Sequence, residues 1–111
     1  YLQVRNQIIH GIATLQLQEG DELPSVRQMA DEIGINMHTV NKAYTVLKQE
    51  GFIQLDRRKG AVICLDMDKI RELQSMREQM KGILAKGICK GIRKDEVYEL
   101  VNEIYQEYGG E

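Results

Sequence analysis

A mainly α fold with one small β-hairpin is predicted by three observations. Apolar residues recur at steps of three and four through five stretches; between residues 52 and 65 two short runs of branched and aromatic residues flank a charged, glycine-ended segment; and capping residues stand where several of the helical stretches begin. The chain has 111 residues, 42% of them apolar, which is enough for one compact core and a short appendage but not for two full-sized domains. Charged residues make up 29%, and no apolar run approaches the roughly 20 residues a membrane span needs. A soluble, ordered, intracellular protein with no membrane partner is expected.

The first helix is expected over residues 3 to 17, where Val4, Ile8, Ile9, Ile12 and Leu15 form a stripe. Pro24 and Ser25 announce the second. Gln28, three residues after Ser25, completes a capping box, and Val26, Met29, Ala30 and Ile33 form its apolar face. Gly34 suits the left-handed residue that ends such a helix, and Asn36 is a good cap for the next, so the turn between them is short. The third helix runs from Met37 to Glu50, with Val40, Ala43, Tyr44 and Leu47 inward, and His38, Asn41, Lys42, Thr45 and Lys48 outward; Gly51 ends it. Phe52 to Leu55 and Ala61 to Leu65 read as strands joined by a basic tip, and two strands alone are marginal, so they must lean on the helices. A long helix follows from Asp66 or Asp68, with Ile70, Leu73, Met76, Met80, Ile83 and Leu84 on one side. Gly87 and Gly91 interrupt the pattern before a last helix over Arg93 to Tyr108.

The net charge of −2 at first sight disfavours a nucleic-acid partner. The charge is segregated, however. Residues 24 to 64 carry 6 basic and 4 acidic side chains, among them Arg27, Lys42, Lys48 and the run Arg57, Arg58, Lys59, whereas the flanking segments are net acidic. Enzyme readings find no support: there is no glycine-rich phosphate cradle, nucleophile elbow, His-x-x-x-His or paired-carboxylate arrangement. His10 and His38 fall on different helices. Cys64 and Cys89 have no C-x-x-C spacing, so neither a disulfide framework nor a zinc site is expected, and Met67, Met76 and Met80 fit apolar packing. No catalytic residue, metal or cofactor is assigned.

Helix, short glycine-containing turn, helix and basic-tipped hairpin is the order of a winged helix-turn-helix, whose second motif helix enters the major groove. Within residues 24 to 60 the segments P-S-V-R-Q-M-A, I-G-I-N-M-H-T-V-N-K-A-Y, L-K-Q-E-G-F-I and R-R-K-G resemble the N-terminal domain of the GntR family of bacterial transcription regulators. The likeness extends upstream through the first helix. It implies a winged helix-turn-helix DNA-binding domain over residues 1–65 and a helical dimerisation region over 66–111, the short tail being similar to that of the YtrA subfamily.

The resemblance implies that Ser25 and Arg27 face the DNA, where a helix N-terminus and a guanidinium both suit phosphate or a base edge. Ser25 serves equally as an N-cap, and the two roles are compatible. From the first two turns of the third helix it implies DNA contacts by Asn36, Met37, His38, Thr39, Asn41 and Lys42. Asn36 is also a cap, and Lys42 is open to a plain solvated role. Met37 and Asn41 stand where arginine is frequent in the family, so base preference does not carry over. Arg58, Lys59 and Gly60 resemble the family's wing tip, which approaches the minor groove, although the usual Gly-x-Gly is reduced.

In the tail the argument is one of burial. Leu73, Met76, Met80 and Ile83 on one helix, and Val97, Leu100, Val101, Ile104 and Tyr108 on the other, form two apolar stripes that a chain of this length cannot cover internally. A second copy can, which makes a homodimer the expected state. The resemblance to the GntR family and its YtrA subfamily implies a sequence-specific regulator of double-stranded DNA, a repressor in the bacterial cytoplasm and nucleoid, acting on an operon that encodes a membrane transporter. A small-molecule effector is left open. The alternative is a winged-helix protein-interaction module without DNA binding.

Overall fold

The computed structural model describes residues 1–109. The chain forms two compact units, Tyr1–Asp66 and Met67–Glu111. Residues 110 and 111 of the expected tail lie outside the described residues.

Helix α1, Leu2–Ala13, buries Val4 and Ile8. It stops four residues short of the expected end. Thr14 Oγ1 donates to the His10 carbonyl at 2.8 Å, an alternative to continued helix, and Leu15 then enters the left-handed region at φ 64. Leu15 is therefore 73% exposed and does not belong to the buried stripe. Leu17 takes that place: its N–H donates to the Gly11 carbonyl at 2.9 Å, and its side chain lies where any Cβ on Gly11 would meet it.

Helix α2, Val26–Ile33, begins with the expected capping box: Ser25 Oγ accepts from the Gln28 N–H at 3.1 Å and Gln28 Oε1 accepts from the Ser25 N–H at 3.2 Å. Gly34 ends it at φ 70, a conformation that costs glycine nothing. Asn36 Oδ1 accepts from the His38 N–H at 2.6 Å and opens α3, Met37–Gln49. Val40, Ala43, Tyr44 and Leu47 are all buried, as their spacing requires.

Strands β1, Ile53–Asp56, and β2, Gly60–Ile63, pair antiparallel from Ile53↔Ile63 to Asp56↔Gly60. Phe52, Cys64 and Leu65, expected as strand residues, fall outside them, although the Cys64 N–H still reaches the Phe52 carbonyl at 3.0 Å. The hairpin is not left to two strands. The α1–α2 connection lies along the other edge of β2: the Leu23 N–H donates to the Ala61 carbonyl and the Ile63 N–H to the Asp21 carbonyl, each at 2.8 Å, with Glu22 bridged to Val62. One core results, joining Val4 and Ile8 of α1, Leu23, Ala30 of α2, the α3 stripe, and Ile53, Ala61 and Ile63 of the hairpin.

In the second unit Asp68 caps α4, Lys69–Cys89, by accepting from the Arg71 N–H at 3.1 Å. Gly87 lies inside α4 rather than interrupting it; the break comes at Gly91, φ 80. The Arg93 N–H donates to Glu96 Oε1 at 3.0 Å and α5 runs Lys94–Glu107. No residue of α4 or α5 is buried, and among the described residues the two helices do not pack side by side.

Candidate nucleic-acid interface

Packing four residues of α3 inward dictates what the opposite face presents. His38, Asn41, Thr45 and Lys48 follow at steps of three, four and three, so they share one side of the helix, and all four are exposed. The DNA contacts implied by the resemblance reach only to Lys42. Thr45 and Lys48 belong to this face by the same period, and the signal for them was the i+4 and i+7 spacing from Asn41.

The remaining α3 residues are dispersed. Met37 is 45% exposed at the first helical position. Thr39 is half-buried and lines a groove with Met29, Ile33 and Ile35, which removes it from the open face. Lys42 turns toward α1, its Nζ lying 4.3 Å from the centre of the Tyr1 ring, a cation–π contact that holds the ammonium at the edge of the surface. Asn36 spends its side-chain oxygen on the α3 cap; its amide N–H2 remains outward on an exposed residue.

The start of α2 is fixed against α3 by one partly buried hydrogen bond. Tyr44 is 5% exposed, and its Oη donates to the Pro24 carbonyl at 2.7 Å. Burial, with Glu32 adding a smaller effect, pushes the phenol up to about 12, so the donor proton is held at any physiological pH. Ser25 and Arg27 follow directly. Both are exposed, and Arg27 forms no ion pair among the described residues. By contrast Arg5 is taken up by a bidentate pair with Glu50, its Nη2 2.8 Å from Oε2, which ties α1 to the end of α3 and raises the guanidinium's already high pKa.

The wing tip is three residues, Arg57, Arg58 and Lys59, between the paired Asp56 and Gly60. Asp56 Oδ1 accepts the N–H groups of Arg58 at 2.7 Å and Lys59 at 3.1 Å, and those bonds hold its carboxyl below the ordinary carboxylate range. Gly60 closes the turn at φ 80, a left-handed conformation that glycine adopts without strain. The departure from Gly-x-Gly therefore still yields a tight tip with three exposed cations.

In the tail, Leu73 (63%), Met76 (42%), Met80 (37%), Ile83 (66%), Leu100 (53%), Val101 (37%), Ile104 (43%) and Tyr108 (40%) are exposed, and Val97 is half-buried. Ile70, Ile88, Tyr98 and Tyr105 are exposed as well. No helix among the described residues is long and apolar enough to cross a membrane.

A family model for bacterial regulatory proteins of the gntR family matches residues 1–63. The HTH-type transcriptional regulator YhcF of Bacillus subtilis is 31% identical over 101 residues, 89% of this chain and 84% of that protein. The HTH-type transcriptional repressor YtrA of the same organism is 30% identical over 111 residues, 97% of this chain and 82% of that protein. Among solved structures, a transcriptional antiterminator from Listeria monocytogenes EGD-e has a TM-score of 0.88 at 30% identity, covering 100% of this chain and 85% of that one. YtrA from Sulfolobus acidocaldarius, a GntR-family transcription factor, has a TM-score of 0.56 at 36% identity, covering 95% and 86%. The curated relatives are transcriptional regulators and not enzymes.

Proposed function

Because the chain belongs to the GntR family of bacterial regulatory proteins, a family of DNA-binding helix-turn-helix regulators, we propose that it is a sequence-specific repressor that binds a two-fold operator as a homodimer. The observation that carries this reading is that Ser25, Arg27, His38, Asn41, Thr45, Lys48 and the wing cations Arg57, Arg58 and Lys59 are all exposed, on elements that share one core.

Within it the labour divides by chemistry. Asn41 offers the amide fork that suits adenine, and His38 a ring nitrogen for a base edge, so these two carry sequence preference. Arg27, Arg58 and Lys59 reach phosphate and fix register. The start of α2, with Ser25 committed to its cap, presents backbone N–H groups to the same backbone.

The apolar residues exposed on α4 and α5 support the homodimer, since each fully buried Leu or Ile is worth roughly 1.5 to 3 kcal/mol and a second copy would cover them. Dimerisation would set two recognition helices about one DNA turn apart. The likeness to a repressor supports repression over activation. A neighbouring membrane-transporter operon as target and the bacterial cytoplasm as the place of action follow from the resemblance to the YtrA subfamily alone.

Gel-shift titration against the DNA upstream of the protein's own gene, at two salt concentrations, tests the proposal. Binding should weaken with a slope of ~0.9 per phosphate contact, and a double Arg58→Gln, Lys59→Gln variant should weaken all sequences alike. Asn41→Ala should instead change the preference between operators. A flat salt response, or two variants that behave alike, refutes the assignment.

A further inference from the structure

One exposed apolar side chain on the winged unit has no role in the core. Leu55 lies on the same face of β1 as Ile53, by the two-residue period of a strand, yet Ile53 is 1% exposed and Leu55 64%. Its cross-strand neighbour is Ala61, too short to cover it. Leu55 therefore extends past the end of the core toward α3. There, with Val26 and Tyr44, it lines a small depression of about 170 Å³ whose remaining lining residues are Asn41, Thr45 and Lys48.

The lining is chemically divided. Val26, the Tyr44 ring and Leu55 make an apolar part, and Lys48 is its one cation. Thr45 Oγ1 already donates to the Asn41 carbonyl at 2.9 Å, so its proton is spent within the helix. Lys48, exposed and without an ion pair among the described residues, is the charged donor offered to an anion, beside the neutral amide of Asn41. An apolar seat beside one ammonium matches a unit that is itself half apolar and half anionic.

The place of the depression names that unit. It lies between α3 and the hairpin. If α3 occupies the major groove and the wing tip the adjacent minor groove, the DNA strand that separates the two grooves passes between those same two elements. We propose that the depression seats one deoxyribose-phosphate unit of that strand, Lys48 binding the phosphate and Leu55 packing on the sugar. The assignment rests on the DNA-binding reading above and adds a contact that carries position rather than sequence.

The test uses the full chain and an operator duplex carrying a single uncharged methylphosphonate linkage, moved one position at a time. With wild type, one linkage per half-site should weaken binding severalfold through loss of the Lys48 contact. Lys48→Gln should lower affinity for the unmodified duplex by roughly three- to tenfold per half-site. It should also reduce the salt slope by ~0.9 per subunit and become indifferent to that one linkage while still sensing the others. Leu55→Ala, at a position 64% exposed, leaves the fold intact and should weaken binding without changing the salt slope. If Lys48→Gln keeps the wild-type slope and the wild-type sensitivity at every linkage, the seat is overturned while operator recognition stands. Failure of the wild type to bind any duplex overturns both.

Discussion

Tyr44→Phe removes one oxygen from the 5%-exposed side chain that joins α3 to the residue preceding Ser25, and leaves the ring packing in place. At neutral pH the variant loses one neutral hydrogen bond, worth about 1 kcal/mol net. For a unit of this size that lowers the melting temperature by roughly 4 to 8 °C. The pH dependence gives a sharper signature. Burial raises the phenol from its ordinary value near 10 to about 12 in the folded chain, so the native state holds its proton more tightly than the unfolded state does. The corresponding stability is fully present below the ordinary value and is lost as pH rises through the folded one. A hundredfold difference in proton affinity corresponds to at most about 2.7 kcal/mol. Phe carries no such proton. Urea unfolding at fixed protein concentration from pH 8 to 11.5 should therefore show wild type more stable at first, with the two curves converging above pH 10 and crossing near roughly pH 11. Other tyrosines titrate in both proteins and cancel in the difference. Parallel curves, or a variant as stable as wild type at pH 8, would show that the Tyr44 hydroxyl does not hold α2 to α3.

Three other outcomes are expected. Gly34→Ala and Gly51→Ala both place a side chain at positive φ, costing about 1 kcal/mol each, but only at Gly51 does the new Cβ meet another, that of Asp66 at 2.6 Å. Asp66 is bonded to Gly51 through its own N–H at 2.8 Å and cannot swing away, so thermal melts should show Gly51→Ala as clearly the worse, and equal losses would contradict that packing. Because the folded carboxyl of Asp56 is depressed, its support of the wing tip is present above the ordinary carboxylate range and lost as pH falls through the lowered value; the protection of the Arg58 and Lys59 amides, taken relative to their intrinsic exchange rate at each pH, should fall in acid, and Asp56→Ala should show that loss of protection already at neutral pH. Ile104→Asp, at a 43%-exposed tail position, should halve the sedimenting mass and weaken operator binding while leaving the melting of the winged unit unchanged; a variant that stays dimeric removes α5 from the proposed interface.

The parts of the fold that the sequence revealed are those set by local chemistry. The S-x-x-Q box at Ser25, the left-handed Gly34, the Asn36 cap and the inward spacing of Val40, Ala43, Tyr44 and Leu47 involve residues within a turn or two of one another. The parts it hid depend on partners distant in the chain. Residues 20 to 23 show no strand alternation because only one edge is paired and only Leu23 is buried, so their alignment on β2 is invisible without β2 in place. Leu15 fits the helical stripe in number yet falls outside it, since Thr14 turns its hydroxyl back on the helix first. On the exposed face of α3, period alone ranks Lys42 with Asn41. Only the position of Tyr1 shows that Lys42 leans to one side, and only Leu55 shows that Lys48 stands beside a cavity.

The docking of residues 20 to 23 on β2 bears on which length changes this protein can survive. A single residue inserted between Gly20 and Pro24 would invert the alternation, carrying Leu23 from 7% exposure into water and drawing the Pro24 carbonyl away from Tyr44. The connection looks like a surface loop, where insertions are ordinarily cheap, but it behaves as a ruler between the hairpin and the second helix. The wing tip is under no such constraint beyond Asp56 and Gly60. Drift in length should therefore collect at residues 57 to 59, where it alters only how far the three exposed cations extend from the core, and be purged at 20 to 23, where it would unseat the helix that follows.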